Sequence, residues 1–287
     1  MKSICIKTNN SNLLNYLLTE CKSLDMDSVC FSANQFKSYQ NVIIHYGGED
    51  TSEFISRVSC ILSCLVMDEL EDDLLKTLLQ RNYFYFDALE RKKIISICYD
   101  LSSEDFTHYF DQKYTCLMNA FTSFLQDHKS IVLTGFVHFR LHEYQKLLED
   151  MIDEAVNIYL VEKEYEEFIS LLKLYISSQQ PQEELVHLIY SGEDSFLLDA
   201  QKNKIDVSED LLKAKYLSDI SFSTNDYLLN TLLNLLPKQI YIHVIDGYMD
   251  EFIQTLLLIF DSRVKVCTDC AICHLYQTHK IPNLSHI

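Results

Sequence analysis

Between Gly135 and Pro181 the sequence contains neither glycine nor proline, and inside that interval apolar side chains return every three or four residues: Leu141, Tyr144, Leu148, Met151, Ala155, Ile158, Val161, Tyr165, Phe168, Leu172 and Tyr175. A half-buried strand alternates with period two, whereas a helix of 3.6 residues per turn brings such positions onto one face. The spacing therefore predicts one long helix, on the order of 50 Å at 1.5 Å per residue. Its other face is acidic, with Glu149, Asp150, Asp153, Glu154, Glu162, Glu164, Glu166 and Glu167. A large apolar face left in water invites association, so the whole stripe is expected to be buried within the chain.

Elsewhere the chain is also sparsely punctuated. Five glycines and three prolines serve all 287 residues, which favours long elements, and a 48% hydrophobic content is enough to build a core. At the N-terminus short apolar runs, Ser3 to Lys7, Ser28 to Ser32 and Asn41 to Tyr46, surround a helical stretch from Asn12 to Lys22 and read as a small β-containing cap. Asp50 and Glu53 then stand as in a capping box, opening a helix that runs to about Asn82. Helices over about 86–99 and 104–126 follow. After Pro181 the period changes: Leu185 to Tyr190 and Phe196 to Leu198 flank the turn Ser191-Gly192-Glu193-Asp194 as a hairpin, and Ser223 with Asp226 caps a helix that Pro237 ends. Ile240 to Val244, a helix over about 248–260 and Arg263 to Cys267 form a strand, helix, strand unit suited to a right-handed parallel crossover. The expected class is α+β. A mainly helical domain with its N-terminal β-containing cap occupies 1–182, and a small α/β domain with a cysteine-rich tail occupies 183–287.

Charge narrows the function. Lys and Arg number 24 against 42 Asp and Glu, a formal charge of -18, so the field around the protein repels phosphate and nucleic acid is not an expected partner. The first residues lack the apolar centre of a signal peptide, and no run approaches the roughly 18 apolar residues of a spanning helix. A cytoplasmic location is expected, in which the ten cysteines stay reduced and mostly serve as small buried hydrophobes. G-x-x-x-x-G-K-[ST], G-x-G-x-x-G and G-x-S-x-G are all missing from the sequence, which disfavours nucleotide-dependent chemistry.

Cys267-Thr268-Asp269-Cys270-Ala271-Ile272-Cys273-His274 is the cluster with ligand-like spacing: three thiols at intervals of three, then an imidazole. A tight loop after a strand can turn such thiolates toward one ion. Cys267, Cys270, Cys273 and His274 are the candidate metal ligands, with His279, His286 or a distant cysteine as other sources of the fourth. Gln277 stands where a ferredoxin run would place its fourth cysteine, and mixed Cys and His ligation is ordinary for zinc, so Zn²⁺ is favoured over an iron–sulfur cluster. The bland reading is a strand end with free thiols.

Other clusters carry less. His138 and His142 stand four apart on an expected helix face, but two imidazoles do not make a site. Arg140 is expected to pair with Glu143. Asp68, Glu69, Glu71, Asp72 and Asp73 read as a solvated acidic face, and Cys60 and Cys64 as core residues. No catalytic set is legible.

Three stretches carry a family resemblance: Gly135-Phe136-Val137-His138-Phe139-Arg140-Leu141, Tyr159-Leu160-Val161-Glu162-Lys163-Glu164-Tyr165-Glu166-Glu167-Phe168-Ile169, and Leu236-Pro237-Lys238-Gln239-Ile240-Tyr241-Ile242-His243. They resemble the YtxC-like proteins of endospore-forming bacteria, a family associated with sporulation and without a known mechanism. The resemblance implies a structural or protein-interaction role beside protein partners in sporulating cells. A metal-binding or redox protein centred on the C-terminal thiols is the alternative. An enzyme assembled from residues far apart in sequence also stays open.

Overall fold

A computed structural model describes the chain apart from residues 25, 37–38, 103–106, 206–222, 246 and 278–287. The fold is α+β with a mostly helical body, and it divides into two compact units, Met1–Glu162 and Lys163–Ile287.

In the first unit, β1 (Lys2–Thr8), β2 (Val29–Phe36) and β3 (Tyr39–Tyr46) form the expected cap, with α1 (Ser11–Ser23) between β1 and β2. The sheet order is β2-β3-β1-β4, antiparallel except where β1 meets β4 (Ser130–Val132). Nothing in the local sequence pattern announces β4. It is only three residues long, and its pairing of Ile131 with Ile6 is a long-range event that no local period records.

Asp50 caps α2 (Thr51–Leu65) by accepting the N–H groups of Ser52 and Glu53. The long helix expected here is not uniform. A π turn at Val66–Leu70 separates α2 from α3 (Glu71–Asn82). A π turn inserts about one extra residue, rotating the next helical segment by roughly 100°. Glu71 thereby leaves the acidic face assigned to it and is buried, while Asp68, Glu69, Asp72 and Asp73 are not.

α4 (Ala88–Leu101) begins with a capping box between Asp87 and Glu90, and α5 (Thr107–Asp127) follows; the expected start of that helix at Glu104 lies outside the described residues. α6 (Leu133–Arg140) stops at Leu141, whose backbone leaves the helical region, before α7 (His142–Ser178) begins. His138 and His142 therefore sit on two different helices. His138 bonds the carbonyl of Thr134 at 3.2 Å, and the guanidinium of Arg140, expected beside Glu143, lies 5.5 Å over the Phe124 ring.

The long helix is present as α7, but its stripe is buried only in part. Leu141, Tyr144, Leu148, Met151 and Ala155 are in the core of the first unit, whereas Val161, Tyr165, Phe168 and Tyr175 are exposed. Ile169 and Ile176, with Leu172 half-buried, are the residues of α7 that enter the core of the second unit. The cause is geometric. The stripe steps by three twice in succession, from Ala155 to Ile158 to Val161, so it slips one residue off the seven-residue repeat. Phe168, 27 residues beyond Leu141, stands about half a turn away from it, whereas Ile169 and Ile176, four and five heptads on, keep to the repeat with its drift of about 20° per heptad.

The second unit builds its sheet in the order β6-β5-β7-β8 from β5 (Leu185–Tyr190), β6 (Phe196–Leu198), β7 (Gln239–Val244) and β8 (Val264–Cys267). The hairpin of β5 and β6 is antiparallel, and Gly192 meets its turn's need for a positive φ of 63°. β5, β7 and β8 are parallel, joined through α8 (Thr224–Leu235) and α9 (Glu251–Phe260). Val186 and Leu188 of β5 and Ile240 and Ile242 of β7 meet Leu228 and Leu232 of α8 and Ile253 and Leu256 of α9 in one core. Strand alternation sends His187, Ile189, His243 and Ile245 to the opposite face. There α10 (Ala271–Gln277) packs Ile272 and Tyr276 against Ile189, Leu198 and Ile245.

Candidate metal centre

Parallel pairing builds the centre. In the register of β7 with β8, His243 stands opposite Cys267, so the carboxyl ends of two neighbouring strands bring an imidazole beside a thiol. The chain then turns, and Cys270 and Cys273 bracket the start of α10, with the N–H of Cys273 donating to Cys270 Sγ at 3.5 Å. The ligand atoms of His243, Cys267, Cys270 and Cys273 all lie within 4.8 Å of one another, and this group could hold a metal ion.

The individual separations are informative. His243 Nδ1 is 3.4 Å from Cys273 Sγ and 3.5 Å from Cys270 Sγ; Cys273 Sγ is 3.6 Å from Cys270 Sγ and 3.9 Å from Cys267 Sγ. A zinc tetrahedron with Zn–S near 2.3 Å and Zn–N near 2.0 Å has edges of about 3.8 Å between sulfurs and about 3.5 Å from sulfur to nitrogen. These four of the group's six separations are close to such edges, and all six are within 4.8 Å. A multi-iron cluster lies inside its ligands and needs them farther apart.

The electrostatics agree with ligation. Burial, then the neighbouring His187, pushes the His243 imidazole down to about 4, so it is neutral near pH 7 and its free nitrogen is an electron-pair donor. Burial pushes the Cys273 thiol up to about 12. At Cys270 burial also works upward, yet the Cys273 N–H, the two neighbouring thiols and the Ile272 N–H hold the thiol below its ordinary value. A cation at the centre would favour the thiolate at each of the three.

Of the residues singled out in the sequence, Cys267, Cys270 and Cys273 are brought together. His274 points elsewhere, with Nε2 2.7 Å from the Asp269 carboxylate at the surface, and His279 and His286 lie outside the described residues. His243, the imidazole of the group, is not among the residues that sequence spacing marks as ligands. A signal for it exists all the same: it ends one strand of a legible parallel unit whose other strand ends at Cys267, and parallel neighbours align their carboxyl ends. Of the remaining thiols, Cys60 and Cys64 are hydrogen-bonded neighbours on α2. All ten cysteines are free, and Cys60, expected in the core, is half-buried and accepts the Tyr114 hydroxyl at 3.3 Å.

The sequence profile of the YtxC-like family matches residues 56–265, almost three quarters of the chain. The chain belongs to the YtxC-like family. An uncharacterised protein of Bacillus subtilis (strain 168), YtxC, is 21% identical to it over 206 residues, covering 68% of this chain and 71% of the relative. No solved structure matches. The matched stretch of this YtxC-like chain includes β5 and β7, hence His187 and His243, and stops two residues before Cys267. The matched stretch thus includes the strands that carry the imidazoles and ends before the three thiols of the centre. Among the described residues no helix is long and apolar enough to cross a membrane.

Proposed function

We propose that this YtxC-like chain is a zinc-binding cytoplasmic protein that acts through protein partners during sporulation, with no catalytic role for the metal. One observation carries the metal reading: three sulfurs and one imidazole nitrogen within 4.8 Å of one another, four of their six separations close to the edges of a zinc tetrahedron. Four protein ligands fill the usual coordination of zinc and leave no open position for a substrate, which is the pattern of structural sites. The ion would fasten α10 to the carboxyl ends of β7 and β8. The resemblance to sporulation-associated proteins supports the cellular setting, and ten reduced thiols support a cytoplasmic one. The excess of acidic residues supports protein over nucleic-acid partners.

Metal analysis of the chain purified without oxygen tests the first part. About one zinc per chain is expected, without the brown colour of an iron–sulfur protein, and Cys270→Ser should release it; metal-free protein with three freely alkylated thiols overturns the reading. Sporulation frequency tests the second part. A strain lacking the protein, and a strain carrying Cys270→Ser, should both form fewer spores; wild-type sporulation in the deletion strain overturns the cellular assignment.

A further inference from the structure

His243 can present Nδ1 to a metal only if that nitrogen carries no proton. A neutral imidazole has one N–H and one lone pair, and which nitrogen holds the proton is set by the partner of the other. Nδ1 of His243 faces the sulfurs of Cys270 and Cys273. Nε2 faces Nδ1 of His187, 3.0 Å away. Two proton arrangements fit that contact. If His187 donates, Nε2 of His243 accepts and Nδ1 carries the proton, aimed at the sulfurs, with no lone pair for a cation. If His187 accepts, the proton sits on Nε2 of His243 and the Nδ1 lone pair points into the thiol cluster.

The second arrangement is the one a metal selects, and the sheet supplies the contact it uses. His187 lies on β5 opposite Tyr241, one step along from the pair Ile189 and His243, so both imidazoles project from the same face of adjacent parallel strands. The rings are 5.2 Å apart, and His187 is flanked on its other side by Tyr241 at 5.7 Å. Metal-bound histidines ordinarily donate their remote N–H to a carboxylate, a carbonyl or water, which fixes the ring and makes it a better donor. Here a second imidazole occupies that place.

We propose that His187 is the positioning residue of the metal centre, accepting the Nε2–H of His243 and so directing its Nδ1 lone pair to bound zinc. This rests on the zinc reading above. Two measurements on the full chain test it. Competition with a chelator for zinc alone should show His187→Ala binding about 10- to 100-fold more weakly at unchanged stoichiometry, while His187→Asn, whose side-chain oxygen can accept the same N–H, stays close to wild type. Nitrogen NMR of the zinc-loaded wild type should show His243 protonated at Nε2 and metal-bound at Nδ1, an assignment that stands even if His187→Ala fails to fold. Unchanged affinity in His187→Ala, equal weakening in both variants, or a proton on Nδ1 of His243 overturns the role of His187 while leaving zinc in place. A wild type that takes up no zinc overturns the zinc reading itself, and this inference with it.

Discussion

Each unit encloses a cluster of polar side chains, and the two clusters differ in what satisfies them. In the first, the Glu71 carboxylate accepts the Lys113 ammonium at 2.6 Å and the Tyr144 hydroxyl, and Lys113 also donates to Ser102 Oγ at 3.1 Å. All of these partners lie inside the unit, one negative charge meets one positive, and the side chains of Glu71 and Lys113 are 7% and 2% exposed. In the second unit, three thiols and an imidazole come within 4.8 Å of one another, and no charged partner from the described residues stands among them. A buried cluster that balances its own charge is a structural device. A cluster of three thiols and an imidazole is one that could hold a cation.

The largest expected effect tests the balanced cluster. Lys113→Met leaves the Glu71 carboxylate buried without its counter-charge and should cost about 3 to 5 kcal/mol in denaturant unfolding. Lys113→Met combined with Glu71→Leu should recover most of that loss, because replacing a whole buried pair with apolar groups is often neutral. If the single variant loses under about 1 kcal/mol, the first cluster is not a balanced unit and the comparison breaks.

Metal removal tests the other cluster. With free zinc at about 1,000 times its dissociation constant, the ion should stabilise the second unit by about 4 kcal/mol. Anaerobic chelation should therefore speed hydrogen exchange in β7, β8 and α10 and leave β1 and β3 unchanged. Equal acceleration in both units, or none, contradicts a metal confined to the second.

A smaller effect concerns alkaline pH. Burial and a bond to Asp153 push the Tyr83 phenol up to about 12, burial and Glu154 do the same to Tyr109, and burial above all takes the Cys98 thiol to about 12. In the unfolded chain tyrosine titrates near 10 and cysteine near 8.5, so between those values and about 12 the folded first unit holds protons that the unfolded chain has released. Stability is thus fully present below about pH 8.5 and falls as pH rises toward 12. Denaturant melts across that window should show the decline, and it should be shallower in Tyr109→Phe. A flat profile would show these groups to be unperturbed in the fold.

The smallest effect is expected at Phe168. Its side chain is half exposed, so Phe168→Ala should change stability by less than about 1 kcal/mol. A loss of 3 kcal/mol or more, the ordinary cost of removing a core aromatic, would restore the unbroken buried stripe that the sequence suggested.

Much of the fold is legible in the sequence because its causes are local. The period of α7, the caps at Asp50 and Ser223, the glycine turn of the β5–β6 hairpin and the three thiols within one strand end and one helical turn all act over a few residues. Local pattern alone specifies the mostly helical α+β class, the four strands of the second unit with α8 and α9, and the thiol half of the centre; α10 stands where that pattern reads as a loop and tail. Long-range packing supplies the rest. His243 reaches Cys267 only through the register of β7 with β8, and His187 reaches His243 only through the pairing of β5 with β7. Glu71 meets Lys113 and Tyr144 across 42 and 73 residues, on a helix face turned inward after a π segment that no residue type announces. Ile169 replaces Phe168 in the second core because it stands four whole heptads beyond Leu141, whereas the stripe that includes Phe168 slips one residue at Val161. Local spacing encodes the contacts made within a turn or along a strand, whereas contacts between strands and between helices depend on which partners fold against each other, and a single chain's periodicity does not contain that information.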